Sequence, residues 1–419
     1  MAELHPDAQR GEDVVPLVRF LSDALARVRP LPSIDVHLTQ SHGHALAADV
    51  TAPGPIPAFD HSTVDGYAVR FDDVVAATER RPVQLKVLGD VAAASWRPVR
   101  ILPGTCFAVA AGAPLPTGTE AVVPLSWTDQ GMATVEITEV PKRGYGLRRT
   151  GDEVASGAVL GRAGQTVNPH LIALFAASGV SDVHVRPEPR VVIIATGDEL
   201  MDAGRMSQPG QVVDVDSPAL TAAAAEAGAH AFRIGICDDE PEALRTVLDD
   251  QTLRSDLVIT TGGTGVGPGD MVRRTFGRDG AVDFATVSIF PSSTLGFGTI
   301  GPEEIPIICL PGEPGAALIA FEAFARPIIR RLAGVEPVFR SQVKAHLLET
   351  VSSPAGLREF RPAEVTERRG GGYTVAPLSG GPYTLSGLAV ASGLMVLGEK
   401  VTNAPAGSTV DVLLFDRRR

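Results

Sequence analysis

Cysteine is scarce in this chain: three residues in 419, Cys106, Cys237 and Cys309, each in an apolar run and far from the others. That spacing supports neither a disulfide framework nor a cysteine metal site, and buried reduced thiols fit the cytoplasm. Basic charge is short as well. Thirty-seven Lys and Arg against 49 Asp and Glu leave a formal charge of -12, which argues against nucleic acid as a general partner because phosphate contacts need clustered cations. An anionic substrate therefore needs a local positive site. No run approaches the roughly 18 uninterrupted apolar residues of a membrane span. The opening MAELHPDAQRGEDVV carries acids where a signal peptide carries an apolar core. The expectation is a cytoplasmic protein that is not integral to a membrane. Internal repeats are missing too, and biased text is confined to the tail Arg417-Arg418-Arg419.

What is there is globular text, 44% hydrophobic, in a chain long enough for about two to four domains. Val14, Leu17, Val18, Leu21, Leu25 and Val28 recur at helical spacing until Pro30 and Pro32 end the pattern. Between Val50 and Val140 short β-rich runs alternate with Pro and Gly, which predicts a small β domain. A helix is predicted from Pro169 to Ser178, capped by Asn168 and closed by Gly179. From Arg190 strands and helices alternate: strands 190–195, 230–236, 256–261, 282–290 and 305–310, with helices 218–227, 240–248 and 315–332. Such alternation predicts βαβ units in a mostly parallel sheet with helices on both faces. Past Gly334 the text is again β-rich and glycine-rich, sized for a terminal β domain.

In open α/β sheets ligands bind at the carboxyl ends of the strands, so the loops there matter most. The first is Thr196-Gly197-Asp198-Glu199-Leu200, whose adjacent acids can hold a divalent cation or simply cap a turn. The second, Asp238-Asp239-Glu240-Pro241, gathers acids before a helix that Pro241 can open; capping alone accounts for one of them. The third, Thr260 to Asp270 (TTGGTGVGPGD), is the most specific. Its glycines can turn backbone amides inward as an anion nest, and Asp270 can hold a metal that bridges to phosphate. It lacks the Lys-Ser/Thr ending of a P-loop and the distant acid of a dinucleotide fold, and a purely structural turn is the alternative. The fourth is Leu310-Pro311-Gly312-Glu313-Pro314-Gly315. Ahead of the sheet domain, Phe59 to Val69 (FDHSTVDGYAV) sets acids and hydroxyls before a strand.

Taken together and in order, these segments resemble the MoeA/gephyrin E-domain family over essentially the whole chain. The family signature FDNSxMDGYA appears as FDHSTVDGYA, followed by RRTGDE at Arg148 to Glu153, TGDEL, the DDEP acids, GGTGVGPGD and PGEP. The resemblance implies a multidomain α/β plus β fold: a Mog-like α/β domain (14–29 and 185–334), a linking domain (30–53 and 148–184), a β-rich domain (54–147) and a C-terminal β domain (335–419). It further implies a homodimer with a shared cleft, and insertion of molybdate into adenylylated molybdopterin with release of AMP and a divalent cation, usually Mg2+. Carried over by position, Asp65, Glu199, Asp239 and Asp270 match the functional acids, the last three as metal ligands. Gly262, Gly263, Thr264, Gly265, Ser292, Ser293, Pro311, Gly312 and Pro314 fall on the substrate-binding segments. Phosphoanhydride cleavage needs a metal and carboxylates to hold it, which agrees.

Three departures oppose anion binding. Where members carry KPGKP this chain reads Phe290-Pro291-Ser292-Ser293-Thr294, the usual threonine of MTGAP is Ala111, and the asparagine of the proline motif is Glu313. Each missing lysine removes on the order of 1 to 3 kcal/mol of charged hydrogen bonding. Arg148, Arg149, Arg273 and Arg274 are candidate replacement cations. His42 and His44, read as alternating on one strand face, lack a third ligand nearby and suit a surface pair. The expected function is therefore a molybdopterin molybdenumtransferase. The alternative is a gephyrin-like dimeric scaffold that binds a short segment of a partner protein, such as a tubulin-like division protein or a membrane-protein tail. An inactive paralogue that pairs with an active one is a third possibility.

Overall fold

The computed structural model describes residues 14–95, 97–205, 208–267, 269–277, 280–291, 294–378 and 383–415. Its centre is a six-stranded sheet in the order His230–Cys237, Arg190–Thr196, Leu257–Thr261, Ile305–Leu310, Thr294–Ile300, Val282–Thr286. The first four strands are parallel and the last two are antiparallel. The sheet is thus mostly parallel, as the alternation of strands and helices predicts. Two apolar clusters cover its two faces. One joins Val191, Ile193, Leu257 and Ile259 to the first helix and to Phe321, Phe324 and Ile328; the other joins Val192, Ile194 and Val258 to Leu244, Leu248 and Met271. Strands buried on both sides this way read as unbroken Val/Ile runs.

Several boundaries differ from the sequence reading. The first helix is Leu17–Arg27 and not 14–28, because Pro16 starts it and Val15 is drawn into a bridge with Val287. Its inner face, Leu17, Leu21 and Ala24, is buried, and Phe20 stacks on Phe324 at 5.1 Å. The expected strand 282–290 is two strands: Val282–Thr286 stays in the central sheet, while Ile289–Phe290 runs parallel to Arg358–Glu367 of the C-terminal domain. Thr294–Ile300 is a strand where none was expected. The helix expected over 315–332 is Pro314–Ala320 and Arg326–Leu332 joined by a π-helical turn, Phe321–Ala325. Pro327 supplies no N–H to the preceding turn, and a widened turn accommodates that loss.

The linking region packs Leu38, Leu46, Val167, Leu171, Phe175 and Val185 together. Its helix, Pro169–Ala177, is capped as expected, Asn168 Oδ1 accepting from Leu171 N–H at 2.9 Å. His42 and His44 flank the turn at Gly43 and lie on no strand, and the His44 ring meets the Arg186 carbonyl at 3.1 Å. The β-rich region is a five-stranded sheet, Ala121–Pro124, Gly66–Val69, Thr105–Val109, Val83–Val91, Thr134–Ile137. In the C-terminal domain five strands close into a barrel: Arg358–Glu367 pairs with both Tyr373–Pro377 and Gly393–Leu397, and Gln342–Leu347 and Thr409–Leu414 complete the ring. Closure removes its sheet edges. No helix among the described residues is long and apolar enough to cross a membrane.

Candidate active site

At the carboxyl ends of the parallel strands lies a cleft of about 710 Å3 lined by Thr196, Gly197, Glu199, Asp214, Asp216, Asp239, Thr261, Gly262, Gly263, Asp270, Gly312 and Pro314. Three of the expected acids, Glu199, Asp239 and Asp270, meet there. Gly197 turns at φ +153°, and a Cβ on it would stand 2.7 Å from a Glu199 carboxylate oxygen. Only glycine allows Glu199 to fold back over that turn. Asp198 Oδ1 accepts from the Asp239 N–H at 2.9 Å, which ties the first loop to the second. Burial raises the Asp239 pKa; a hydrogen bond at the Asp198 backbone opposes this, and the charges of Asp198, Glu199 and Asp270 add to it. The clustered carboxylates make the cleft a strongly negative field.

The glycine loop forms as expected but with a different occupant. Asp270 Oδ1 accepts from Gly265 N–H at 2.8 Å and Oδ2 from Gly267 N–H at 2.6 Å, so the amides read as an anion nest face their own loop's carboxylate. Gly262 sits at φ +98°, where a Cβ would lie 2.6 Å from the Thr196 carbonyl oxygen. Thr264 is buried. Gly265 and Gly267 turn to a second hollow of about 520 Å3, beside Arg273 and Arg274, rather than to the main cleft. The Arg273 guanidinium lies 5.6 Å from the Phe284 ring centroid. Pro311 is buried and its carbonyl accepts from Thr261 Oγ1 at 3.0 Å. Glu313 is spent on its helix: its carboxylate accepts from Gly315 N–H at 3.2 Å and Ala316 N–H at 2.6 Å. Ser292 and Ser293 lie outside the described residues.

Asp65 does not line this cleft. It precedes the Gly66–Val69 strand and accepts from the Ala111 N–H at 2.9 Å, a backbone contact that does not depend on a threonine side chain. Two of the proposed replacement cations are engaged nearby. Arg149 pairs with Asp60 at 2.6 Å and Arg148 pairs with Glu153. Asp60 also accepts from Thr150 N–H at 2.8 Å, so the FDHSTVDGYA and RRTGDE segments are one knot. Two acids of the cleft wall were missed from sequence, Asp214 and Asp216, in Val213-Asp214-Val215-Asp216-Ser217 at the start of an alanine-rich helix. Asp214 accepts from Ser217 N–H, in the first turn of that helix, at 2.9 Å and meets Arg233 at 3.3 Å. Asp216 Oδ2 accepts from Thr261 Oγ1 at 2.7 Å, and burial raises its pKa to about 6. Among the described residues no three His, Cys, Asp or Glu side chains converge as a ready metal cage.

Comparison with known proteins places this architecture. Residues 16–179 match the MoeA N-terminal region (domain I and II), 192–331 the probable molybdopterin binding domain, and 344–415 the MoeA C-terminal region (domain IV). Molybdopterin molybdenumtransferase 2 of Mycobacterium tuberculosis is 36% identical over 94% of this chain and 97% of its own length, and molybdopterin molybdenumtransferase 1 of that organism is 35% identical over 92% and 95%. A relative of the same name from Staphylococcus aureus is 28% identical over 96% of each chain. The molybdopterin biosynthesis MoeA protein of Pyrococcus horikoshii superposes with a TM-score of 0.82 at 27% identity, covering 97% of this chain and all of that one. The four-loop cleft, the closed barrel and these matches agree, and the chain belongs to the MoeA family of molybdopterin molybdenumtransferases, which serves molybdenum-cofactor biosynthesis.

Proposed function

We propose that the chain inserts molybdate into adenylylated molybdopterin and releases AMP, working as a cytoplasmic homodimer. The observation that carries this is the gathering of Glu199, Asp239 and Asp270 with the glycine loop in one cleft at the strand ends. Magnesium fits the donor set. It favours oxygen ligands, takes one or two carboxylates and leaves its remaining positions to water and phosphate, so no closed protein cage is needed. Asp239, whose carboxyl feels three neighbouring acids, and Glu199, which folds over Gly197, are the carboxylates that would hold it. Asp270 has both oxygens on loop amides and therefore sets the shape of the loop while adding charge to the site. Bound magnesium neutralises phosphate charge at the anhydride.

The chain's own residues then bind and orient. Gly262, Gly263 and Gly312 leave the wall beside Pro314 free of side-chain bulk, so that a flat substrate can lie against it. Asp65 joins from a second copy of the chain in the shared cleft. Ser292, Ser293 and Thr294 carry neutral hydroxyls in the sequence positions where the family pattern has lysines, so substrate affinity is expected to be lower than in a lysine-bearing relative. The test is AMP release from adenylylated molybdopterin with molybdate and magnesium, for the native chain, Asp270→Asn and Glu199→Gln. Release that the variants lose supports the reading. No release above background from a folded dimer, with an active relative alongside, overturns it.

A second reading is favoured by one other feature. A groove of about 450 Å3 runs between the first helix and the barrel, lined by Leu17, Val18, Leu21, Leu25, Phe339 and Phe360, with Val18 and Phe339 more than half exposed. It suits a short apolar segment of a partner protein held by a dimeric scaffold. Binding of such a peptide that survives Asp65→Ala and Asp270→Asn would support the scaffold; a Phe339→Ala variant that binds it unchanged would remove the groove from consideration.

A further inference from the structure

Asp216 is the acid of the cleft wall left without a task. Only 7% exposed, it opens the Asp216–Glu226 helix. Its Oδ2 lies 2.7 Å from Thr261 Oγ1, and that hydroxyl lies 3.0 Å from the Pro311 carbonyl oxygen. Its Oδ1 is buried with no hydrogen-bond partner. A threonine hydroxyl has one hydrogen to give. If it goes to Pro311, a proton on Asp216 Oδ2 completes the chain by donating to Thr261; if it goes to Asp216, the Pro311 carbonyl does without. In either arrangement Oδ1 remains an acceptor lacking a donor. Desolvation moves the group toward about pH 6, the Thr261 hydroxyl opposing and the charges of Asp214 and Glu313 adding. Those neighbours are themselves engaged, Asp214 by Ser217 and Arg233, Glu313 by its helix amides, while Glu199, Asp239 and Asp270 share the cavity.

We propose that Asp216 Oδ1 accepts an N–H from the heterocycle of the substrate and is thereby a specificity-determining residue of the cleft. The inference rests on the transferase reading above. Molybdate and the anhydride phosphates of the adenylylated substrate have no hydrogen to offer near neutral pH and would be repelled by a bare acceptor. The N–H donors on such a substrate are the amino and ring N–H groups of the pterin and the amino group of adenine. A buried acceptor that is partly uncharged near neutrality suits a neutral N–H better than a cation, because removing its charge abolishes the attraction for a cation and leaves the lone pair in place.

The test is calorimetric titration of the full-length protein with molybdopterin and, separately, with AMP, comparing native chain, Asp216→Leu and Asp216→Asn. The leucine variant is expected to weaken one ligand about tenfold or more, as for loss of a hydrogen bond to a buried polar group, and to leave the other within about twofold. Which ligand suffers identifies the source of the N–H. The asparagine variant keeps a carbonyl oxygen and can donate to Thr261, so it should bind within about threefold of native and lose the native rise in affinity as pH rises through about 6, where the carboxylate becomes the stronger acceptor. A folded leucine variant that binds both ligands as native does, or weakens both alike, overturns the proposal, as does an asparagine variant as weak as leucine. A native chain that binds neither ligand removes the transferase reading and this inference with it.

Discussion

Removing the Asp270 carboxylate should loosen the glycine loop far more than the rest of the molecule. In Asp270→Ala two backbone N–H groups, Gly265 at 2.8 Å and Gly267 at 2.6 Å, lose an ionised acceptor. Hydrogen bonds to charged groups contribute about 1.5 to 3 kcal/mol each, and water can replace part of that on a half-buried loop, leaving a net cost of about 2 kcal/mol. At about 1.4 kcal/mol per factor of ten, local opening becomes roughly 30-fold more frequent. Amide hydrogen exchange followed by mass spectrometry should show that acceleration in peptides covering 262–272, while the barrel strands Gln342–Leu347 and Gly393–Leu397 keep native protection. Unchanged exchange in 262–272 would refute the assignment of Asp270 as the loop's anchor.

Other consequences are equally specific. Because the Asp216 pKa is raised from 3.8 to about 6 on folding, its neutral form is the stable one: the contribution is complete below about pH 4 and is lost as pH rises through about 6. Two pK units correspond to about 3 kcal/mol at most, so the difference in unfolding free energy between native chain and Asp216→Asn should change by a few kcal/mol from pH 4 to 7; a pH-independent difference would contradict this. Arg340, with a side chain only 3% exposed, joins Glu322 at 2.6 Å and Glu226 at 2.7 Å. Urea unfolding of Arg340→Met should show a loss of about 3 kcal/mol, partly restored by adding Glu322→Gln, since an unpaired buried carboxylate is the main cost. Glu313→Ala should lower stability by about 1 kcal/mol through loss of the helix cap, visible as a small drop in melting temperature, whereas Glu313→Asn should hold it.

Much of this was legible in the sequence where cause and effect are close along the chain. Asn168 before Pro169 announces a cap, and alternating apolar strands and helices from Arg190 announce a parallel sheet. The strand Thr294–Ile300 was hidden because Gly296 and Gly298 read as breakers. In the sheet they are obligatory: a Cβ on Gly298 would fall 2.0 Å from the Ala281 carbonyl oxygen, and one on Gly296 2.7 Å from the Phe284 ring. The loop acids announce themselves by clustering, but Asp216 does not, since its partner Thr261 is 45 residues away and its burial is a property of the assembled wall. Barrel closure depends on one long strand, Arg358–Glu367, serving two neighbours, and no local pattern encodes that. The glycine loop was recognisable as a nest, but that Asp270 fills it follows from the geometry of the turn.

The short strand Ile289–Phe290 belongs by sequence to the central domain and by hydrogen bonding to the barrel, and the Phe290 ring meets Tyr383 edge-on at 5.2 Å. Tyr383 in turn presses its backbone so close to Gly315 that a Cβ there would stand 2.0 Å from its carbonyl oxygen. The chain therefore leaves this strand from a seam stitched to the barrel, and the proline loop of the cleft is braced by the same neighbour. Evolution cannot exchange the barrel as an independent module: a graft from a relative would carry its own anchor points, and the position of the proline loop in the cleft would travel with it.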